Sequence, residues 1–237
     1  PTWTSKTSGK DFPLVTDLVS AAHNPTTGLT YYASFGDGLL MKNGEDYELF
    51  NHENSPLDTA TDGKVYVADI QTDIEGNTWV TNYNTTGSSK YLHKIDLEGV
   101  WTSFRTFNST GRSALEFVID NNNVKWIQVR VTSSTRNLLV YDPEEGTEKL
   151  LTTSSADLPG PVNCLDINDN GNIYIGTDNG IAISYDPQNV FTTSGFTVSK
   201  PILGEQYLLQ DEVVNAIKVD GGGRLWAGTN SGLFLFS

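Results

Sequence analysis

Basic residues and cysteines are scarce in this sequence. Lys and Arg number 15 against 29 Asp and Glu, so the formal net charge is 15 − 29 = −14. We therefore expect neither a nucleic-acid surface nor docking to an anionic membrane, because both need a positive patch. The single cysteine, Cys164, excludes an intramolecular disulfide and a zinc site built from several cysteines.

Long apolar runs are also missing. Apolar runs such as 39–41 and 233–236 have the length of a strand, whereas a membrane helix needs about 20 apolar residues. No stretch shows sustained helical periodicity with caps. The sequence begins at Pro1 without a Met or a visible signal peptide, which we interpret as a cleaved leader or a module cut from a longer exported protein.

An internal repeat of about 47 residues organises the chain. Each unit carries a central aromatic residue, at intervals of 47, 47, 48 and 52 residues: Tyr32, Trp79, Trp126, Tyr174 and Trp226. Each unit has the pattern of four short strands separated by Gly, Asn and Asp turns, and this period suits a four-stranded propeller blade. The sequence thus predicts an all-β fold, a single β-propeller domain over 1–237 with five four-stranded blades at about 14–55, 62–108, 112–156, 160–199, and 211–237 plus 1–10.

The fourth strands of the first four blades are predicted at 47–51, 100–104, 148–152 and 191–196, whereas the fifth blade ends after its third strand. Residues 2–5 echo residues 100–103, since both stretches contain Trp-Thr-Ser. We therefore predict that the N-terminal strand completes the last blade and closes the ring, which would remove open sheet edges. The tryptophans that recur at one repeat position, Trp79, Trp126 and Trp226, are predicted to pack between blades.

The best-formed repeat carries a family resemblance. Residues 214–233 follow the pattern Val-x-x-Ile-x-x-Asp-x-x-Gly-x-Leu-Trp-x-Gly-Thr-x-x-Gly-Leu, and 162–181 follow it closely. This pattern resembles the two-component-regulator propeller repeat, which builds periplasmic sensors of bacterial hybrid histidine kinases. The stretch 29–39 is also similar to the propeller of PorZ-like type IX secretion proteins. The resemblance implies sensing, glycan binding or protein docking outside the cytoplasm, although five blades depart from the seven common in relatives.

Carboxylates recur on the innermost strands. Alignment on the central aromatic puts Asp17, Asp69, Glu116, Cys164 and Ala216 in one column, with an allowance for the longer first turn. Acids at one height near a propeller axis could share protons, bind a cation, or serve as acid and base on a glycosidic bond. The alternative, which we favour, is that they line a wet channel and carry no chemistry.

A second candidate site lies at the rim. In each blade the loop entering the innermost strand and the loop between the second and third strands should share one face, where ligands of propellers are expected. The predicted rim combines aromatic, Arg and amide groups that suit a glycan: Phe12, Phe35, Asp37, Tyr83, Asn84, Arg112, Arg130, Asp178 and Asn230.

Metal sites have weaker signals. Asp166, Asn168 and Asn170 match the first half of a calcium loop, but the closing Glu is missing and a plain β-turn is favoured. His23, His52 and His93 occupy unrelated repeat positions without zinc-ligand spacing, so we expect them at the surface or in loops. No cofactor site is predicted.

These features favour a non-catalytic sensing or ligand-binding propeller, periplasmic or at the cell surface of a bacterium, belonging to a larger protein. A glycan or peptide is the expected ligand. Two alternatives stay open. One is a glycoside hydrolase or lyase that uses Asp17, Asp69 and Glu116. The other is a protein-docking propeller of a secretion or envelope complex.

Overall fold

The computed structural model describes residues 12–85, 90–105, 113–132 and 134–237. Within these ranges the chain is all-β, as predicted, and its one helical segment is a three-residue 3-10 turn at Pro187–Asn189. The chain divides into two compact units, Pro1–Leu115 and Glu116–Ser237.

The first unit contains two four-stranded antiparallel sheets. Its strands are β1 (Leu18–His23), β2 (Thr30–Gly36), β3 (Gly38–Asn43), β4 (Asp46–Phe50), β5 (Val65–Thr72), β6 (Thr78–Tyr83), β7 (Lys90–Ile95) and β8 (Trp101–Arg105). The sheets are ordered β1-β2-β3-β4 and β5-β6-β7-β8. Pairing of Phe35 with Tyr66, and of Gly36 with Val65, joins β2 to β5. The core of this unit packs apolar side chains of both sheets, among them Leu39 and Val80.

The sheets of the second unit have fewer strands after the first of them. The strands are β9 (Ser113–Ile119), β10 (Lys125–Arg130), β11 (Arg136–Asp142), β12 (Thr147–Leu151), β13 (Val162–Ile167), β14 (Ile173–Thr177), β15 (Gly180–Ser184), β16 (Ile202–Leu203), β17 (Gln206–Tyr207), β18 (Val214–Val219), β19 (Leu225–Thr229) and β20 (Leu233–Phe236). One sheet has four strands in the order β12-β11-β10-β9. Its strand β9 begins at Ser113, two residues before the end of the first unit at Leu115. Two three-stranded sheets and a small hairpin, β16-β17, follow.

The predicted fourth strand at 191–196 is wrong. The 3-10 turn ends at Asn189, and the chain continues through turns over 190–195 before Ser199 forms an isolated bridge with Ile183. Phe196 and Val198 are buried in the core of the second unit instead of standing in an extended edge strand. Burial of these two apolar side chains outweighs the strand propensity of the two preceding threonines, and the Gly that follows them disfavours a strand.

The predicted strand at 1–10, including Trp3, lies outside the described residues. In the described part of its sheet, β20 pairs with β19 on one side only. Leu233 and Leu235 of β20 are exposed. An apolar edge strand of this kind is a surface on which a further strand would pair.

The hairpin turns that follow β5, β9, β13 and β18, which the sequence predicts to be innermost strands, share one hydrogen-bond pattern. In the turn that starts at Asp73, the Asp73 carboxylate accepts from the backbone N–H groups of Glu75 and Asn77, and Gly76 has a positive φ of +87°. This is a turn closed by an Asx side chain with a left-handed residue in the bulge position. The same side-chain acceptors open three later turns: Asp120, Asn168 and Asp220.

The turn carboxylates also explain the central tryptophans. The indole Nε1–H of Trp79 donates to Asp73 Oδ2 at 2.7 Å, and the indole of Trp126 donates to Asp120 at 2.9 Å. Both tryptophans are buried, and Trp126 lies in an apolar core with residues of the next repeat, as predicted for a packing role. The spacing Asp-x5-Trp is therefore a structural unit, since a buried indole N–H needs an acceptor.

Asn123 replaces the glycine of the other turns and has a φ of +63°. Its side-chain oxygen and its backbone carbonyl both accept from the ammonium of Lys125, at 2.6 and 2.5 Å. Lys125 is fully buried as a residue, so its charge needs nearby acceptors. Asn tolerates the left-handed conformation better than most residues, and here it also supplies an oxygen that Gly lacks.

Candidate functional site

A β-bulge occurs at a repeated position in β1, β5, β13 and β18, the strands predicted to be innermost. The position of the bulge corrects the alignment of the repeats made from the sequence. In β5 the bulge falls between Val67 and Asp69, and Asp69 pairs with Thr81, two residues after Trp79. The equivalent residues after the bulge in three other innermost strands are Ser20, Cys164 and Ala216. Because Ser20 pairs with Ala33, the residue equivalent to Trp79 in the first repeat is Tyr31, not Tyr32.

Asp17 therefore does not belong to the column of inner carboxylates; Ser20 takes that position. Asp17 precedes β1 with a φ of +54°, and its carbonyl accepts a hydrogen bond from the backbone N–H of Phe35. The first turn, at 24–28, is longer than the others and obscures the register in the sequence. Asp17 instead belongs to the loop that enters the innermost strand.

Asp69 is fixed by a set of donors in the first unit. Its Oδ1 accepts from Ser20 Oγ at 2.7 Å and from the backbone N–H of Ile70 at 2.8 Å, and its Oδ2 accepts from the Gln71 side chain at 3.3 Å. The carboxylate is buried, so these bonds compensate its lost hydration. Asp69 thus links the innermost strands of the two sheets.

Glu116 and Cys164 occupy the corresponding strands of the second unit. Glu116 is half-buried on β9, and Cys164 is buried on β13. Burial, and next the charge of Glu116, raise the pKa of the Cys164 thiol to about 12. The thiol is therefore protonated at neutral pH and is a poor nucleophile.

The residues of the half calcium loop have other roles. Asn168 Oδ1 accepts from the backbone N–H groups of Asn170 and Asn172, which makes it the side-chain acceptor of the turn. Asp166 reaches the neighbouring sheet, where Oδ1 pairs with the Lys218 ammonium at 2.6 Å. Its Oδ2 accepts from the backbone N–H of Val219. Among the described residues, no group of three or more His, Cys, Asp or Glu side chains is placed to hold a metal ion.

Three aromatic rings form what we call the aromatic platform, consisting of Phe35, Tyr66 and Tyr83. The ring centroid of Phe35 lies 4.7 Å from that of Tyr66 and 5.4 Å from that of Tyr83, and the two tyrosine rings are 6.3 Å apart. Each residue is half-buried. The rings come from β2, β5 and β6, which the β2–β5 pairing places side by side.

Carboxylates surround this platform. The Tyr66 hydroxyl donates to Asp62 at 2.6 Å, and this bond is the main reason that the pKa of Tyr66 is raised and that of Asp62 lowered. The charge of Asp17 adds to the rise in the pKa of Tyr66. Asp37 Oδ2 accepts from the backbone N–H and the hydroxyl of Thr16, so the two loops predicted to share one face do meet in this sheet.

Two further predicted rim residues of the first unit, Asn84 and Phe12, do not belong to the aromatic platform. Asn84 follows Tyr83 with a φ of +57°. Phe12 packs edge-on against Tyr32 and Tyr47, at 5.5 and 5.2 Å, and so has ring partners outside the platform. Arg112 lies outside the described residues. Tyr66 and Asp62 were missed because sequence reasoning had no signal for the β2–β5 pairing.

The second unit has its own cluster of polar rim residues. Asp178, in the loop after β14, accepts from Arg136 at 2.8 Å and from the Asn163 side chain at 2.9 Å. Arg130 of β10 lies directly opposite Arg136 of β11 in the antiparallel register of these two strands. The sequence prediction included Arg130 and Asp178 and missed Arg136 and Asn163.

An equivalent contact occurs in the last sheet. There the side-chain oxygen of Asn230 accepts a hydrogen bond from the side-chain amide of Asn215 at 2.8 Å. Asn163 and Asn215 both occupy the bulge of an innermost strand, between the residues where the register shifts. The Val-Asn pair that begins both strands is the sequence signal for this loop contact.

His93 contradicts the prediction of a surface or loop histidine. It lies on β7 and is completely buried, with Nδ1 2.9 Å from Ser103 Oγ and its ring beside Trp101. Its Nε2 is buried without a hydrogen-bond partner in the described structure. Burial, helped by the charge of Lys90, lowers the pKa of His93 to about 4.

Comparison with solved structures shows a propeller-like β fold. PorZ of Porphyromonas gingivalis, an essential surface component of the type IX secretion system, matches with a TM-score of 0.76 and 21% identity over 93% of this chain. The extracellular domain of the hybrid two-component system BT4673 of B. thetaiotaomicron matches with a TM-score of 0.68 and 17% identity over 97% of this chain. Virginiamycin B lyase of Staphylococcus aureus matches with a TM-score of 0.61 and 12% identity over 93% of this chain.

The chain spans only 32% of the PorZ chain and 28% of the BT4673 chain, but 70% of the lyase chain. No protein-family model matches the sequence, and no curated protein does. The first two neighbours come from the groups that the repeat pattern resembles, whereas the third is an enzyme. In the described residues, no helix has the length and apolar character required to cross a membrane.

Proposed function

We propose that this chain is a non-catalytic, extracytoplasmic propeller module of a larger bacterial protein, periplasmic or at the cell surface, and that it binds a glycan on the aromatic platform. The observation that carries the proposal is the grouping of three half-buried rings at a loop-bearing end of the sheets. The extracellular and surface location of BT4673 and PorZ supports the placement outside the cytoplasm.

The chemistry of the platform suits a sugar. Aromatic faces pack against the apolar C–H faces of pyranose rings, and neighbouring carboxylates accept hydrogen bonds from hydroxyl groups. Asp62 and Asp17 supply such acceptors next to Tyr66. A sugar would thus find ring surface and hydrogen-bond acceptors within one patch, which is the combination that gives orientation as well as affinity.

A glycan array followed by calorimetric titration tests this proposal. We expect at least one neutral oligosaccharide to bind, and Tyr83→Ala to weaken its affinity by roughly tenfold, which corresponds to about 1.4 kcal/mol. Tyr185→Ala is the matched control, because Tyr185 is an exposed tyrosine of the second unit. Equal affinity of the Tyr83 and Tyr185 variants, or an array without any binder, would contradict the glycan site; the latter would favour protein docking.

The five-bladed ring belongs to the same proposal. We take each repeat as one blade and residues 1–10 as the fourth strand beside β20. The support is the apolar, one-sided edge of β20 and the Trp-Thr-Ser match of residues 3–5 with 101–103. The whole chain would then be a single domain.

Deletion of residues 1–10 tests the closure by amide hydrogen exchange. We expect faster exchange at Leu233–Phe236, because β20 would lose its second strand neighbour. Exchange at Gly180–Ser184, a strand of the preceding sheet, serves as the internal control. Unchanged protection of β20 after the deletion would disprove this part of the proposal.

A lyase or glycoside hydrolase remains the second candidate, since virginiamycin B lyase is among the structural neighbours. The bonds that fix Asp69, and the position of Asp17 outside the inner column, support the non-catalytic choice. Incubation of each bound glycan with the protein should give no cleavage products by mass spectrometry. Turnover that disappears in both Asp69→Asn and Glu116→Gln would replace the binding proposal with an enzymatic one.

A further inference from the structure

A groove lies between the two sheets of the first unit, toward their outer strands β4 and β8. Its volume is about 410 Å³, within the range of roughly 300–1,000 Å³ typical of ligand pockets. Tyr31, which lines it, is four residues before Phe35 on β2, so the groove lies toward the other end of that strand from the aromatic platform. The glycan proposal does not account for it.

One side of the groove is aromatic. Trp101 and Phe50 line it with their ring centroids 5.5 Å apart at an interplanar angle of 66°, and both residues are half-buried. Tyr31 is buried beside them. The two side chains therefore give the groove an aromatic wall, against which a planar or aliphatic group can pack.

The groove also carries negative charge that no basic residue of its described lining compensates. Glu48, Asp96 and Glu98 line the groove, and no Lys or Arg is among its described lining residues. Glu48 and Glu98 are exposed and form no ion pair or side-chain hydrogen bond in the described ranges. Asp96 is held in place by the backbone N–H groups of Glu98 and Val100.

We propose that this groove binds an arginine side chain presented by a peptide segment of a partner protein. The guanidinium is planar, packs on an indole face by cation–π attraction, and donates forked hydrogen bonds to carboxylates. Trp101 supplies the face, and Glu48 and Glu98 supply the acceptors. The aliphatic stem of the arginine, and an apolar neighbour in the peptide, would cover Phe50.

The experiment uses the peptide acetyl-Gly-Arg-Leu-Gly-amide and the same peptide with citrulline in place of Arg. Citrulline keeps the shape of the side chain and removes its charge. We expect the Arg peptide to shift the indole Nε1–H resonance of Trp101 in NMR spectra, with affinity that decreases as salt increases. The citrulline peptide should bind at least about tenfold more weakly.

Single neutralisations then identify the acceptors. Glu98→Gln and Glu48→Gln are each expected to weaken binding of the Arg peptide by roughly threefold to tenfold. Glu144→Gln is the matched control, because its backbone N–H donates to Asp142 as that of Glu98 donates to Asp96, but in the second unit. It should leave the affinity unchanged.

Three results would overturn the proposal. The first is equal affinity for the Arg and citrulline peptides, and the second is full affinity in both glutamate variants. The third is a Trp101 resonance that does not respond to the Arg peptide, including the case in which a panel of methyl glycosides shifts it instead. Loss of glycan binding in Tyr83→Ala has no bearing on this test, because Tyr83 does not line the groove.

Discussion

Asp120→Ala is expected to lower the free energy of unfolding by about 4 kcal/mol. The carboxylate of Asp120 is buried and accepts from the Trp126 indole and from the backbone N–H groups of Asn122 and Val124. Truncation leaves the indole donor of a fully buried tryptophan unsatisfied, at a cost of about 1–3 kcal/mol, and removes the charge-assisted bonds of the turn. Urea denaturation followed by Trp fluorescence measures the change.

Asp96→Ala provides the matched control for this loss. Asp96 opens a turn with the same two backbone bonds, to Glu98 and Val100, but its carboxylate accepts from no indole. Its replacement should therefore cost only about 1 kcal/mol, the usual value for a turn or cap acceptor. Similar losses in the two variants would mean that the Asp–Trp bond is not what stabilises the repeat.

Acidification from pH 7 to pH 5 is expected to lower the free energy of unfolding by about 2 kcal/mol through His93 alone. The folded pKa of about 4 lies below the usual value of 6.5, so the unfolded chain binds more protons between these values. The stabilisation is therefore complete above about pH 6.5 and is lost as the pH falls toward 4. The range down to pH 5 avoids most of the effect of Asp220, whose pKa of about 2 is set first by the Trp226 indole bond.

Two variants separate His93 from the other titrating groups. His93→Gln should flatten the dependence of stability on pH over this range, even though the substitution itself destabilises the core. His52→Gln should leave the slope intact, because His52 is exposed. An unchanged slope in His93→Gln would show that the buried imidazole is not the group responsible.

The candidate site was less accessible to sequence reasoning than the fold. Phe35 and Tyr83 were predicted at one rim and do come together, but their partner Tyr66 was missed. The reason is that pairing of β2 with β5 joins two repeats, whereas a repeat pattern describes the interior of each unit. Asp17 was misplaced for a related reason: a longer turn shifted the register, and in a strand each shift by one residue turns the side chains to the other face.

The all-β class, the period of the repeats and the buried position of Trp79 and Trp126 could be predicted from the sequence. These properties depend on local signals, since the Asp-x5-Trp spacing encodes both a turn and the acceptor for a buried indole. The burial of His93, the aromatic platform and the groove beside Trp101 are seen only in the folded chain. The platform and the groove need strands from different repeats to be packed against one another, and such contacts depend on long-range pairing that leaves no periodic mark in the chain.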